Sequence, residues 1–290
     1  MRVVVTGASG ALGGYVLAAL ARRGHSVVAL SGATVGERSG FPLRPVELTK
    51  HAEVASVLDE AVPDIVLHLA AISSAVECAR DPDRAFAANV LATSNIASWC
   101  TWAGCRLVFT STDLVFSGDA APYREDDAAD SQMTYGRLKR QGEESVLPCR
   151  GALVTRLPLM FGRSGKGLFD AAIADLAAGK PRAFFADEFR TPIDFASAAE
   201  ALVRLAELGS SGIVHVAGAE RVSRFELMRR AAVAIGHDPS LVRPSLRADV
   251  PQTEPRPADV SLDTTRLATL LPDLRRPTIE EALTGRSAWP

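Results

Sequence analysis

Residues 6 to 13 read Thr-Gly-Ala-Ser-Gly-Ala-Leu-Gly, three glycines in a G-x-x-G-x-x-G spacing directly behind Val3-Val4-Val5. No other feature restricts the fold as much. An unbroken β-branched run suits a strand buried on both faces. The alanine-rich stretch from about Ala11 to Arg23, stopped by Gly24, reads as a helix. A strand that turns through glycines into a helix presents free N–H groups at the helix start, where an anion is stabilised. In that setting Gly7 makes the tight turn and Gly10 lets the backbone approach a pyrophosphate. Gly13 lets the helix pack close to the sheet, and Ala11 and Leu12 lie between. The spacing is not the usual G-x-G-x-x-G, so the reading rests on the strand before it and the helix after it.

The rest of the first half repeats this rhythm. Strands are expected at Ser26–Leu30, Pro45–Leu48, Ile65–Ala70, Leu107–Ser111 and Ala152–Arg156. Helices are expected at His51–Ala61, Asp83–Ala103 and Ser131–Leu147. Such alternation predicts an α/β fold, a Rossmann-type doubly wound parallel sheet with a smaller C-terminal substrate-binding region. The nucleotide domain is placed at 1–158 and the substrate region at 159–290, with about 196–217 (a helix at Ala196–Leu208, a strand at Ile213–Val216) returning to the sheet. Between these, Leu168–Ala178 reads as a helix and Phe184–Asp187 as loop or edge strand. Arg243–Pro257, with four prolines, reads as an extended loop.

The formal net charge of -2 argues against general affinity for nucleic acid or anionic membrane. No apolar run is long enough to span a bilayer, and the N-terminus carries no secretory pattern. Cys78, Cys100, Cys105 and Cys149 form no C-x-x-C pair and show no metal-ligand spacing, so no metal is expected. They read as thiols in a reducing compartment, and a cytoplasmic location is the default.

Tyr135 and Lys139 fall four residues apart on a helix and share a face. A phenol near pKa 10 is a poor acid or base at neutral pH, and a neighbouring ammonium pulls it towards the working range. Ser111-Thr112-Asp113 follows the fifth strand, where parallel strands present ligand-binding residues. A hydroxyl there can hold a substrate carbonyl near the tyrosine. For Asp113, turn capping and substrate contact stand side by side. His68 and His215, within apolar strands, read as satisfied core histidines, and Trp99 and Trp102 as packing residues.

Taken in order, these pieces resemble the extended short-chain dehydrogenase/reductase family, most of all its dTDP-4-dehydrorhamnose reductase group. The resemblance runs through VTGASGALG, Glu47-Leu48-Thr49, PDIVLHLAA (63–71), Asn89-Val90, STDLVFSGDAAPYREDD (111–127), YGRLK, RTPID (190–194), HVAG and RPADVSLDTTRL (256–267). It implies Thr112, Tyr135 and Lys139 as the catalytic triad, and Gly7, Gly10, Ala11 and Leu12 along the pyrophosphate. Leu48, Ala70, Ala71 and Ser73 would surround the adenosine and ribose, with Asn89 near the cofactor cleft. Arg190 would bind a nucleotide-sugar phosphate, a surface ion pair being the other reading. Two positions depart from the group: Leu159 and Met160 stand where it carries Trp, and Leu114 where it carries Tyr. Both belong beside the substrate, so the identity of the sugar does not carry over.

The expected activity is reduction of a nucleotide-linked 4-ketosugar by NADP(H), with NAD(H) as the second possibility. A carboxylate ending the second strand would bind the 2′-hydroxyl of NAD. Here that strand runs into Ser31-Gly32, the first acidic residue is Glu37, and Ser31 and Arg38 are suited to a 2′-phosphate. A sugar-nucleotide epimerase and a non-catalytic nucleotide-sensing subunit are the alternatives. A homodimer is compatible with either.

Overall fold

The computed structural model describes residues 1–251 and 253–285. The valine run forms β1 (Arg2–Thr6), and the glycine turn leads it into α1 (Ala11–Arg22). β2 (Ser26–Ser31) then pairs parallel to β1. The next strand differs from expectation. Instead of Pro45–Leu48, the chain forms a hairpin of β3 (Gly36–Arg38) and β4 (Phe41–Pro45), with Leu43 of β4 opposite Ala29 of β2. Pro42 and Pro45 disguised this strand, and prolines of this kind are tolerated close to a sheet edge.

α2 (His51–Ala61), β5 (Ile65–His68) and α3 (Ala75–Arg80) follow. The single helix expected at 83–103 is α4 (Pro82–Phe86), a π turn at Ala87–Leu91, and α5 (Ala92–Ala103). β6 (Arg106–Thr112), α6 (Thr134–Val146) and β7 (Leu153–Leu157) complete the first half. Then come β8 (Met160–Phe161), α7 (Gly167–Ala177), β9 (Arg182–Phe185), β10 (Phe189–Arg190), β11 (Ile193–Asp194), α8 (Phe195–Glu207) and β12 (Gly212–His215). The last elements are β13 (Val222–Ser223), α9 (Arg224–Ala234), β14 (Val242–Ser245), α10 (Thr265–Leu270) and α11 (Ile279–Leu283). The stretch expected to be a loop at 243–257, in which Gln252 lies outside the described residues, begins with β14, which pairs in parallel with β9.

Eight strands make one sheet in the order β12-β7-β6-β5-β1-β2-β4-β3, parallel except for the β3–β4 hairpin. On one face Val16, Leu17 and Leu20 of α1 share a core with Ala198, Leu202 and Leu205 of α8. On the other, Val54, Val57 and Leu58 of α2 pack with Ile96, Trp99 and Cys100 of α5. Helices on both faces account for the apolar runs that the strands required. The strand order reverses between β1 and β5, and ligands of such sheets bind beyond the carboxyl ends at that point. Trp99 is buried and donates Nε1 to Asp59 Oδ1 at 2.8 Å, but Trp102, expected to pack, is 77% exposed. A three-residue step turns a helix by about 300°, enough to carry Trp102 past the buried stripe. Among the described residues no helix is long and apolar enough to cross a membrane.

Candidate active site

The glycine turn sits at the point where the strand order reverses. Gly7 has φ +68°, and a Cβ there would stand 2.7 Å from Ala70 N. A Cβ at Gly13 would overlap the Gly7 carbonyl oxygen, so only glycine lets α1 lie this close to the turn. α1 starts at Gly10 with no side chain capping its first N–H groups, which leaves these donors for an anion. Thr6 Oγ1 accepts from Leu69 N and Ala70 N, both at 3.2 Å, tying the Ala70–Ser73 loop to the turn. Asn89, on the π turn, grips the same loop from behind: Oδ1 accepts from Ile72 N at 2.9 Å and Nδ2 donates to Ile72 O at 3.0 Å. Asn89 is fully buried, so it shapes the cleft through this loop. Leu48 lies beyond β4, its carbonyl accepting from Asn95 Nδ2 at 3.0 Å.

His68 is the core histidine expected: buried, 2.7 Å from Thr6 Oγ1 and 3.0 Å from Thr93 Oγ1, with burial pushing it down to about 3. His215 is only half satisfied. Its Nδ1 lies 3.2 Å from Asp263 O, while its buried Nε2 has no partner among the described residues.

Ser31 and Arg38 occupy different surroundings. Ser31 is buried and donates Oγ to Thr34 O at 2.6 Å. Arg38 comes back over the first turn of α1, where a Cβ on Gly14 would stand 2.7 Å from its Nη2. Ser39 fixes the hairpin tip there by donating Oγ to Gly14 O at 3.0 Å. The hairpin that the sequence reading missed is thus what carries Arg38 to the glycine turn.

β6 delivers Thr112 to the same end of the sheet. Its Oγ1 accepts from Leu114 N and donates to Asp113 Oδ1, both at 3.2 Å. Asp113 therefore does not act as the turn cap; Thr112 does. Tyr135 and Lys139 lie one turn apart on α6 and are 8% and 2% exposed. Gly136 makes their approach possible: a Cβ there would overlap the Leu114 carbonyl oxygen, so α6 rests directly on the turn after Thr112. Thr112 is buried as well, and its hydroxyl favours the Tyr135 phenolate. From the far C-terminal segment, Glu254 Oε1 caps the start of α6, accepting from Thr134 N at 2.9 Å and Thr134 Oγ1 at 2.5 Å.

The electrostatics differ from the sequence expectation. Burial pushes the Tyr135 phenol well above its ordinary range, Cys78 and Asp113 push it further, and the Thr112 hydroxyl opposes them. The expected pull of Lys139 on this phenol is not seen. Its ammonium instead lies 4.0 Å from the centroid of the Phe109 ring, and burial brings it down to about 7 against the attraction of Glu143 and Cys78. A phenol so placed stays protonated at neutral pH, which suits a proton donor.

Behind Thr112 lies a buried charge cluster that the sequence did not reveal. Arg190 Nη1 stands 3.0 Å from Asp113 Oδ2, and Arg190 Nη2 donates to Glu188 Oε1 at 2.9 Å. Glu188 is wholly buried and also takes Arg256 (Nη2 to Oε2, 2.8 Å) and Arg224 (Nη1 to Oε1, 3.4 Å). Burial alone would raise Glu188, but Arg190, Arg224 and Arg256 together hold it down to about 2. A phosphate at Arg190 would have to share that guanidinium with both carboxylates. The other departures lie nearby: Leu114 joins the cluster of Tyr135, Leu138 and Cys78, and Leu159 packs with Phe161, Val222 and Leu227. Only the RPAD and RTPID segments hinted at the cluster; Glu188 and Arg224 had no signal, because their pairing is set by the segment before β10 meeting the start of α9 in space.

Comparison with known proteins agrees with this architecture. A "Probable low-salt glycan biosynthesis reductase Agl14" from Haloferax volcanii is 32% identical over 99% of this chain and 98% of its own length. A dTDP-4-dehydrorhamnose reductase from Mycobacterium tuberculosis is 33% identical over 88% of this chain and 82% of its own. The structure of a dTDP-4-dehydrorhamnose reductase from Bacillus anthracis in complex with NADP superposes with a TM-score of 0.85, covering 97% of this chain and 96% of that one at 22% identity. The model of one family, described as the RmlD substrate binding domain, matches residues 1–285, and the chain belongs to that family.

Proposed function

We propose that this chain reduces the 4-keto group of a nucleotide-linked deoxysugar with NADPH, using Tyr135 as the proton donor. The observation that carries the reading is the burial of Thr112, Tyr135 and Lys139 together, the last two one turn apart on an α6 that rests on the turn after Thr112, at the strand ends with an uncapped glycine turn. A dinucleotide fits the residues present. Gly7, Gly10 and Gly13 leave room where any Cβ would intrude, and the first N–H groups of α1 face no side-chain cap. Gly7, Gly10, Ala11, Leu12 and Gly13 would hold the pyrophosphate, and Leu48, Ala70, Ala71 and Ser73 the adenosine and ribose. Arg38 makes no ion pair among the described residues and sits on α1 beside the turn, which favours a 2′-phosphate. When bound, the cofactor supplies the hydride.

The chain supplies the rest. Tyr135 Oη gives its proton to the carbonyl oxygen as the alcohol forms, and water returns a proton to the phenolate. Lys139, with no hydrogen bond to the protein among the described residues, is available to the cofactor ribose. Thr112 orients the carbonyl, and Ser111 Oγ, buried without a partner among the described residues, is a second hydroxyl at the strand end. The names of the relatives indicate the substrate class, nucleotide-linked ketosugars. The test is net consumption of NADPH, followed at 340 nm, with a panel of nucleotide 4-ketosugars, and mass detection of the alcohol. Isomerisation with no net cofactor consumption would indicate an epimerase instead.

A further inference from the structure

The segment joining β8 to α7 reaches out of the substrate region onto the glycine turn. Lys166 Nζ donates to Ser9 O at 2.7 Å, and Ser9 stands directly before the Gly10 at which α1 starts. Three residues earlier, Arg163 O accepts from the Tyr15 hydroxyl of α1, whose ring stacks on Phe195 with centroids 5.5 Å apart. Two contacts thus tie residues 163–166 to the turn and to the helix that follows it. Asp170, in the first turn of α7, folds the segment on itself: it accepts from Ser164 Oγ at 2.7 Å, Gly165 N at 3.1 Å and Lys166 N at 3.2 Å. All three are neutral donors, so this carboxylate does not take the lysine head. Lys166 forms no ion pair among the described residues.

We propose that residues 163–166 are a strap that closes on a diphosphate at the glycine turn, with Lys166 Nζ as a direct ligand and Tyr15 as the positioning residue that holds the strap by the Arg163 carbonyl. An ammonium carries three donors, and Ser9 O uses one. The bond to a neutral carbonyl is weaker than one to an anion, so a diphosphate on the free N–H groups of α1 competes for the lysine. Two diphosphates could meet it, that of the cofactor and that of a nucleotide sugar. The seat of Lys166 on Ser9, within the turn itself, favours the cofactor's, and this choice rests on the cofactor reading above. The substrate region then contributes to cofactor binding and is drawn onto the sheet by it. Because NADPH and NADH share the diphosphate, Lys166 sets affinity for both and does not choose between them.

The test is calorimetric titration of wild type, Lys166→Met and Lys166→Arg with NADPH, NADH and dTDP, with melting curves recorded on the unliganded proteins. Lys166 is exposed, so the variants should melt with the wild type. Lys166→Met should lose about 10-fold in affinity for both nicotinamide cofactors, as for one charge-assisted contact, and Lys166→Arg should retain most of it. All three proteins should bind dTDP alike. Trypsin gives a second readout without turnover: saturating NADPH should slow cutting of the Arg163–Ser164 bond in the wild type, and less so in Lys166→Met. Unchanged cofactor affinity in Lys166→Met, or a strap cut equally fast with and without NADPH, would overturn the proposal. A loss confined to dTDP would assign the strap to the sugar nucleotide, and one confined to NADPH would assign Lys166 to the 2′-phosphate; either contradicts it. A wild type that bound neither cofactor would bring down the cofactor reading and the strap together, whereas a Lys166→Met that matched a cofactor-binding wild type would remove the strap alone.

Discussion

Lys139 and Phe109 face each other without an intervening carboxylate: the ammonium nitrogen stands 4.0 Å from the ring centroid, and the lysine is 2% exposed. The ring face offers some stabilisation to a cation, less than the water that burial removes. The amine is accordingly pushed from its ordinary value down to about 7.

A pH dependence follows for the apoprotein. The unfolded chain binds the Lys139 proton up to its ordinary pKa of about 10.4, whereas the folded chain releases it near 7. Between these values the unfolded state holds more protons, so stability rises with pH, and the cost of burying the charge is present in full below pH 7. Lys139→Met should lack this rise. Melting curves from pH 6 to pH 9.5 should show the wild type gaining on the variant by on the order of 5 °C.

Gly136 is predicted to be intolerant of any side chain. Its Cβ would meet the Leu114 carbonyl oxygen and the Ser131 hydroxyl, so α6 would have to move off the turn that bears Thr112. Gly136→Ala should cost about 1–3 kcal/mol of stability, as overpacking does. It should lower kcat by more than the melting shift alone explains, because Tyr135 moves with α6 away from Thr112. Turnover and denaturant unfolding on one preparation would check this, and wild-type kcat would count against the close-approach argument.

Cofactor preference should favour NADPH and rest on Arg38. Reversing it calls for a carboxylate at Gly32, not at the buried Ser31, because a Cβ at Gly32 meets nothing within 4 Å. Titration of both cofactors should show Arg38→Ala losing about 10-fold in NADPH affinity, as for one charge-assisted contact. Gly32→Asp should then bind NADH more tightly than NADPH. Tighter NADH binding by the wild type would rule out the ribose argument.

The sequence was most informative where one short segment contains both cause and effect. The valine run, the glycine turn and the apolar helix stripes specified β1, α1 and the parallel sheet, and His51–Ala61 matched to the residue. The Tyr135–Lys139 spacing likewise held, because i,i+4 geometry is local. What escaped depended on distant partners. The β3–β4 hairpin was hidden by prolines that an edge tolerates, and with it the route of Arg38 back to α1. Glu188 acquires its meaning only when β10, the start of α9 and the segment after β14 bring Arg190, Arg224 and Arg256 around it. The sign of the Tyr135 shift escaped too, because burial outweighs a nearby ammonium and burial cannot be read from spacing.

Substrate choice should reflect Leu114 and Leu159. Both are partly buried aliphatic residues, one in the Tyr135 cluster and the other beside Phe161. A lost aromatic contact costs on the order of 1 kcal/mol, or several-fold in affinity. Comparison of kcat/KM should place dTDP-4-dehydrorhamnose below a differently substituted ketosugar, and Leu159→Trp should narrow the gap. If dTDP-4-dehydrorhamnose is the best substrate of the wild type, the leucines do not set specificity.

The central claim is that Tyr135 completes a reduction carried out at the end of β6. The direct measurement is single-turnover transfer of deuterium from 4-deuterated NADPH to the sugar carbon, in wild type and Tyr135→Phe, with cofactor affinity measured on the same samples. The wild type should place one deuterium at the former carbonyl carbon. Tyr135→Phe should bind NADPH within about 3-fold of wild type while transferring label about 10²–10⁴-fold more slowly, the usual contribution of a general acid. Transfer at the wild-type rate by Tyr135→Phe, or no label in the sugar with the wild type, would contradict the account.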